Sequence, residues 1–450
     1  MRRADRQIRT HHAVVLGSGM AGLCAAAVLS GHFDRVTLVE RDTVSPLTRG
    51  QGHRGVPQSS HAHGLAFSAV QQLERLIPGL FRQCVTAGAV QMEAGSQGRA
   101  IYHGHTLRQA PSDINTLLAT RPFLEYAVRQ RVLELPRITL RENTEAAGLI
   151  ADASGDVRGV QVCPAGTTAP APENLEADLV VDATGRGARS GAWLEHLGHR
   201  RAPEERVKAD VTYASRHFAL PPDVLGNDRV VLVGATSAQP RGLIFAAQES
   251  NTWVLSLQGY GDHRPPGDPA GFLAYATAVA PQDITHHLHA AAPVDEITFY
   301  RFPCGIRRRY DKLHGFPAGL LVIGDALCSV NPVYGSGTAL AVGQANALDT
   351  CLNRPDSSLA RRYFRAAHRV TNLPWWLAAC GDYSLTRQGK RSQLLGNGFR
   401  RLMAAAERDP RTASAVLKSL LLVESPLSLT RPHILRQILT PARAGQVSPA

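Results

Sequence analysis

The hexapeptide Gly17-Ser18-Gly19-Met20-Ala21-Gly22 constrains this chain more than any other stretch. The apolar run HAVVL (His12 to Leu16) precedes it and the alanine-rich LCAAAVLSG follows it, an order that reads as strand, tight turn and helix. Arg35 to Glu40, RVTLVE, supplies the second strand of a βαβ unit. In such a unit the first glycine permits the turn, the second lets a pyrophosphate approach the backbone, and the third lets helix and strand pack closely. Free N–H groups at the helix N-terminus attract phosphate, which groups Met20 and Ala21 with Gly17, Gly19 and Gly22 as cofactor-binding candidates. Glu40 lies 23 residues beyond Gly17, near the ~20 expected of an acid that accepts hydrogen bonds from the adenosine ribose hydroxyls. A dinucleotide site follows from this pattern, but the choice between FAD and NAD does not.

Gly319 to Gly337, GLLVIGDALCSVNPVYGSG, is a second strand, turn and helix start. The apolar Leu320 to Ile323 ends at Gly324-Asp325, a proline-containing loop follows, and Gly335-Ser336-Gly337 opens the helix TALAVGQANALDTCL. Asp325 within GDA, followed by Asn331-Pro332 and Gly335-x-Gly337, resembles the second FAD motif of the class A flavoprotein monooxygenases. That resemblance implies that Asp325 binds the ribityl chain of FAD and that the following helix points at the isoalloxazine, with Pro332, Gly335 and Gly337 beside it. It also implies that Arg121, in TRPFLEYAVR, contacts FAD and that Arg41 flanks the adenosine; the alternative for such arginines is a solvated helix face. LVVDATGRGARS (Leu179 to Ser190) is similar to a motif shared across the family, with Asp182, Gly185 and Arg189, associated with both FAD and NAD(P)H. Family members usually show Asp-Gly where this chain has Asp182-Ala183-Thr184-Gly185. With no second complete GxGxxG unit, NADPH or NADH is expected to bind transiently, or a separate flavin reductase to deliver the electrons.

The stretch Arg54 to His63, RGVPQSSHAH, resembles a branch of this superfamily that includes the flavin epoxidases of bacterial polyether and polyketide biosynthesis, distantly akin to squalene epoxidases. Arg54 joins the cofactor-binding candidates on that basis. The two histidines at His-x-His spacing lack a supporting Asp, Glu or Cys, so no metal is expected there. Further likeness runs through VTYASRHF, RFPCGIRRRY and PWWLAACGDY.

Composition narrows the class. A length of 450 residues suggests about three domains or lobes, and 44% hydrophobic against 19% charged residues excludes a mostly disordered chain. Lys and Arg outnumber Asp and Glu by 49 to 37, a net charge of +12 that favours anionic partners. No basic block interleaved with aromatics argues for nucleic acid. Seven cysteines with no CxxC spacing fit a reducing compartment, and no apolar run reaches the ~18 residues of a membrane span, so a bacterial cytoplasmic protein is expected.

The expected fold class is α/β, a Rossmann-like FAD-binding domain of glutathione-reductase type with an inserted β-sheet substrate domain and a C-terminal helical region. Residues 1–10 read as a mobile arm; 11–80, 115–200 and 300–355 as a discontinuous FAD-binding domain; 81–114 and 201–299 as the substrate domain; 356–440 as a helical cap; and 441–450 as a tail. The cap's arginines beside apolar segments also allow peripheral contact with a membrane surface. Tyr213, Arg216, Phe245, Trp253, Phe302 and Tyr310 are the candidates to line a substrate pocket. The resemblance implies a monooxygenase in which a flavin C4a-hydroperoxide passes one oxygen of O2 to a lipophilic polyketide or terpenoid intermediate, with alkene epoxidation favoured. Aromatic hydroxylation, halogenation and a geranylgeranyl-type reduction are the alternatives on the same scaffold, though the halogenase WxWxIP motif is absent. The cofactor would carry the hard chemistry, so no catalytic side chain is assigned.

Overall fold

The computed structural model describes residues 11–45, 57–166, 172–354, 359–386 and 390–440. Arg54 lies outside them. Five parallel strands form the first sheet, in the order Leu320–Val322, Leu179–Asp182, His12–Leu16, Arg35–Val39 and Ile138–Arg141. The three apolar runs singled out in the sequence are thus its adjacent inner and edge strands. They read as continuous apolar runs because parallel sheets are covered on both faces. Helices Met20–Leu29 and Gly337–Leu352 pack against each other beside this sheet. A three-stranded antiparallel sheet, Thr144–Ala151, Val157–Pro164 and Glu173–Glu176, occupies the crossover before Leu179–Asp182.

The second large sheet is mostly antiparallel. Its order is Cys328–Ser329, Thr298–Arg308, Glu204–Ala219, Thr252–Tyr260, Arg241–Gln248, Val230–Val233, Gly98–Tyr102 and His105–Thr106, with Ala292–Pro293 added beside Glu204–Ala219. Side chains alternate between its faces. One face carries Ala214, Phe218, Phe245, Trp253, Leu255 and Leu257 under the helices Pro269–Thr277 and Gln282–Ala290. Tyr213, Tyr260 and Phe302 project from the other, toward the loop Asn331–Val333. The two covering helices are separated at Pro281.

Two expected boundaries cut through pairings. Residues 300–308, assigned to the FAD-binding domain, belong to Thr298–Arg308, which pairs along Glu204–Ala219 as an inner strand of the large sheet. Val90–Glu93 and Asn115–Leu118, placed in different domains, are hydrogen-bonded neighbours in a small sheet completed by Gly64–Leu65. Strand partners distant in sequence set both boundaries.

The C-terminal region is helical: Leu359–Thr386, Lys390–Arg408, Pro410–Leu420 and Pro432–Leu439. The first of these packs on Gly337–Leu352 and reaches the strand Glu204–Ala219, so it bridges the two large units. Met403, Ala406 and Val416 from the next two helices form a small apolar core with Leu107. Among the described residues no helix is long and apolar enough to cross a membrane.

Candidate functional site

The first glycine turn is built as the fingerprint requires, and each glycine has a distinct reason. Gly17 sits at φ +97, where an added Cβ would also lie 2.8 Å from the Ala183 carbonyl oxygen. A Cβ on Gly22 would overlap the carbonyl of Gly17. Gly19, at φ −70, faces open space, with only Glu125 Oε1 as near as 4.0 Å. The helix Met20–Leu29 that it opens has no side-chain cap, which leaves backbone donors free for an anion. Met20 is buried in the core, and Ala21 lies against Gly324, where it joins the first motif to the second. Glu40 is buried at the end of its strand. Its Oε2 accepts from both the N–H and the hydroxyl of Ser18 at 2.7 Å, and Oε1 accepts from Asp42 N–H at 3.0 Å, so the carboxylate is fixed beside the turn. Arg41 is exposed next to it.

The second motif converges on the same place. Gly335 adopts φ +61, and both Gly335 and Gly337 face open space. The helix Gly337–Leu352 also lacks a side-chain cap, and the buried hydroxyl of Ser336 at its start has no partner. Arg121 spans the two motifs: Nε and Nη2 donate to Glu125 Oε1 at 2.8 and 2.7 Å, while Nη1 donates to Thr338 Oγ1 at 3.3 Å. Thr120 caps the helix Arg121–Leu133 and thereby sets the position of Arg121. Burial pushes the Asp325 carboxyl above the usual carboxylate range, and the nearby guanidinium groups of Arg121, Arg186 and Arg308 oppose that rise. Open glycines, two uncapped helix starts, an unpartnered Ser336 and a carboxylate held at each end fit a flavin dinucleotide. Glu40 would hold the ribose, Gly19 and Arg121 the phosphates, Asp325 the polyol, and Pro332 with Gly335 and Gly337 the ring.

Asp182 has a different task. It is fully buried, with Oδ1 accepting from the N–H and hydroxyl of Thr184 at 2.9 and 2.6 Å and Oδ2 from Ser190 Oγ, so it shapes the turn that Gly185 completes at φ +78. Arg189 is exposed over the Trp193 ring. Arg186, which sequence reasoning passed over, instead turns inward: it donates to Cys304 O at 2.6 Å and Ser329 Oγ at 3.2 Å and lies 4.6 Å from the Phe302 ring centre.

Opposite these loops stands an aromatic wall. Tyr213 and Tyr300 are register partners on adjacent strands, with ring centres 6.3 Å apart, and the His61 ring lies 5.9 Å from each. Tyr213 donates its hydroxyl to Asn331 Oδ1 and accepts from Val333 N–H at 3.2 Å, so the wall is tied to the Pro332 loop. Asn331 Nδ2 in turn donates to Asp382 Oδ1 at 2.7 Å, which also accepts from Tyr334 at 3.1 Å. Burial raises the Asp382 carboxyl to about 7 despite those two hydrogen bonds. Asp382, Asn331 and His61 all stand in stretches recognised for their likeness to the family, but only the fold brings them together.

Four of the six pocket candidates lie elsewhere, and the sheet's alternation explains three. Phe245 and Trp253 pack with ring centres 4.7 Å apart in the core beneath the two covering helices. Arg216 follows Ser215 and so points to the face away from His61, where its Nε donates to Asp295 O at 2.8 Å. Tyr310 is buried against Phe364, with ring centres 5.0 Å apart, and Phe316. Tyr213 and Phe302 remain on the site's side. Among the described residues no group of three or more His, Cys, Asp or Glu could hold a metal. His61 and His63 are both kept neutral by burial, at about 3 and about 4.

This arrangement is the FAD-binding fold of the flavoprotein monooxygenases. Similar solved structures include p-nitrophenol 4-monooxygenase PnpA from Pseudomonas putida DLL-E4, with a TM-score of 0.66, 15% identity, and 92% of this chain and 98% of that chain covered. The flavin-dependent brominase Bmp2 shares the fold with a TM-score of 0.60, 15% identity, and 93% and 100% coverage. In sequence the chain is 34% identical over 443 residues to Protein Rv3254 of Mycobacterium tuberculosis, covering 92% of this chain and 90% of that protein, and it belongs to the same family. No family model matches it.

Proposed function

We propose that the chain is an FAD-dependent monooxygenase that inserts one oxygen atom of O2 into a lipophilic polyketide or terpenoid intermediate, by alkene epoxidation. The observation that carries this reading is a pair of uncapped helix starts with open glycines, joined through Arg121, Glu125 and Thr338, whose second motif is tied at Asn331 and Val333 to Tyr213 of the aromatic wall. Bound FAD supplies the reduction and activation of oxygen, with NADPH, NADH or a partner reductase as the electron source. The protein's share is to orient the substrate and exclude water, tasks for which uncharged aromatic groups are suited. Burial holds the Tyr213 and Tyr300 hydroxyls protonated and His61 neutral. Asp382, which titrates near neutrality, is engaged behind Asn331. Epoxidation needs no base to ionise the substrate, whereas hydroxylation of a phenol benefits from one. The branch resemblance of Arg54 to His63 points the same way. Halogenation is less favoured: Trp375 is buried against Arg307 and its neighbour Trp376 is 54% exposed on the C-terminal helix.

Turnover of a polyene under 18O2 should give a product with one labelled oxygen. An unlabelled, hydrogenated product would instead indicate a reductase, and bromination in bromide buffer a halogenase. Asp325→Ala should raise the FAD dissociation constant about tenfold, the ~1.4 kcal/mol of one lost charge-assisted hydrogen bond. Flavin fluorescence quenching measures that constant, and an unchanged value removes Asp325 from the cofactor site.

A further inference from the structure

His61 holds the one buried ring nitrogen of the aromatic wall that has no partner. The residue is 7% exposed, and its Nε2 makes no hydrogen bond among the described residues. A chain of hydrogen bonds reaches the other nitrogen. Ala62 N–H donates to Ser256 Oγ at 2.8 Å, and an amide can only donate. Ser256 Oγ lies 2.5 Å from Ser215 Oγ, which lies 2.6 Å from His61 Nδ1. Ser256 and Ser215 have no other acceptor for their hydroxyl protons among the described residues, so the arrangement that satisfies both sends the Ser256 proton to Ser215 and the Ser215 proton to Nδ1. Nδ1 is therefore an acceptor, and in a neutral ring the remaining hydrogen sits on Nε2. Burial keeps the ring neutral, with His63 and His217 opposing added charge. An unsatisfied buried N–H destabilises the folded protein unless something accepts from it.

The place of this donor indicates what accepts. Tyr300, whose ring lies beside that of His61, is within electrostatic reach of Arg186 and of Asp325, the carboxylate assigned above to the cofactor. We infer that His61 Nε2–H is a substrate-recognition donor, and that the substrate presents a carbonyl or hydroxyl oxygen to it. This rests on the monooxygenase reading above. It makes His61 a specificity-determining residue and the substrate an oxygenated molecule, not a plain hydrocarbon. A site built to hydrogen-bond an oxygen rejects the analogue that lacks it, because the donor is then left buried and unpaired.

The test uses the FAD-loaded protein with 2-naphthol and naphthalene as matched probes, followed by perturbation of the flavin spectrum. Relative to naphthalene, 2-naphthol should bind at least fivefold better to the wild type than to His61→Phe. His61→Gln, which keeps an N–H at the reach of Nε2, should retain the preference. Equal preference in wild type and His61→Phe, including binding of neither probe, overturns the inference. So does a His61→Phe protein that loses FAD while its preference is unchanged, since the donor then serves the cofactor. Histidine side-chain 15N spectra supply an independent check: His61 should be the Nε2–H tautomer and stay neutral down to pH 5, and an Nδ1–H tautomer overturns the argument. Failure of the wild type to bind FAD would instead strike the monooxygenase reading itself.

Discussion

Gly19→Val should abolish FAD retention in a protein that still folds, whereas Gly22→Val should cost the fold. The two positions stand three residues apart in one motif but face different neighbours. Gly19 has an extended backbone that valine adopts freely, and its Cβ would enter the open space beside Glu125 and Arg121. That is the space assigned to the pyrophosphate, so the loss of affinity should be on the order of 100-fold or more, about 2.7 kcal/mol. At Gly22 the added atoms would overlap the Gly17 carbonyl with no direction of escape, an overpacking of roughly 3 kcal/mol or more. Thermal melts of the two apoproteins and FAD titration of the first separate these outcomes. A Gly19→Val protein that binds FAD as the wild type does would move the phosphates away from this turn.

The second large effect is a gain. Asp382 is 2% exposed, and its folded-state carboxyl titrates near 7 instead of the usual 3.8, because burial penalises the anion more than Asn331 and Tyr334 stabilise it. The groups facing it, Asn331, Tyr334, Tyr260 and Tyr213, carry no positive charge. A carboxyl with a raised folded pKa binds its proton more tightly folded than unfolded. Its stabilising proton is present at low pH, and the wild type loses stability as pH rises from about 4 to about 7. Asn at this position keeps an oxygen to accept from Asn331 and Tyr334 and does not titrate. Asp382→Asn should therefore match the wild type near pH 4 and be more stable at pH 8 by on the order of 3 kcal/mol. Melting temperatures across that range test the sign, and an advantage that is flat with pH would remove the ionisation of Asp382 as its cause. The helix Leu359–Thr386 thus contributes a pH-sensitive contact to the loop of Asn331 and Tyr334.

The sequence was most informative where function depends on neighbours in the chain. Gly17, Gly19, Gly22 and Glu40 belong to one βαβ unit, and the turn they build follows from their spacing. The wall opposite was legible only in part, because its residues come from strands, a loop and a helix far apart in sequence. Tyr213, Asn331 and Asp382 meet through hydrogen bonds that no local pattern encodes. Aromatic strand residues posed a further problem: alternation divides Tyr213 from Phe218, but it does not say which face the helices Pro269–Thr277 and Gln282–Ala290 cover. Phe245 and Trp253, aromatic strand residues like Tyr213, lie on the covered face. A bulge between Lys208 and Val211, with Asp210 at φ +48, also resets the alternation along Glu204–Ala219. His-x-His spacing raises only the question of a metal, whereas the more informative property of His61, an Nε2 without a partner among the described residues while Nδ1 meets Ser215, exists only in the folded chain.

The absorbance spectrum of the purified protein after incubation with FAD and removal of the excess tests the central claim most directly. The account predicts one bound flavin per chain with the two-banded spectrum of the oxidised form, bleached anaerobically by NADPH, NADH or a flavin reductase and restored by O2. A folded protein that retains no flavin would contradict it.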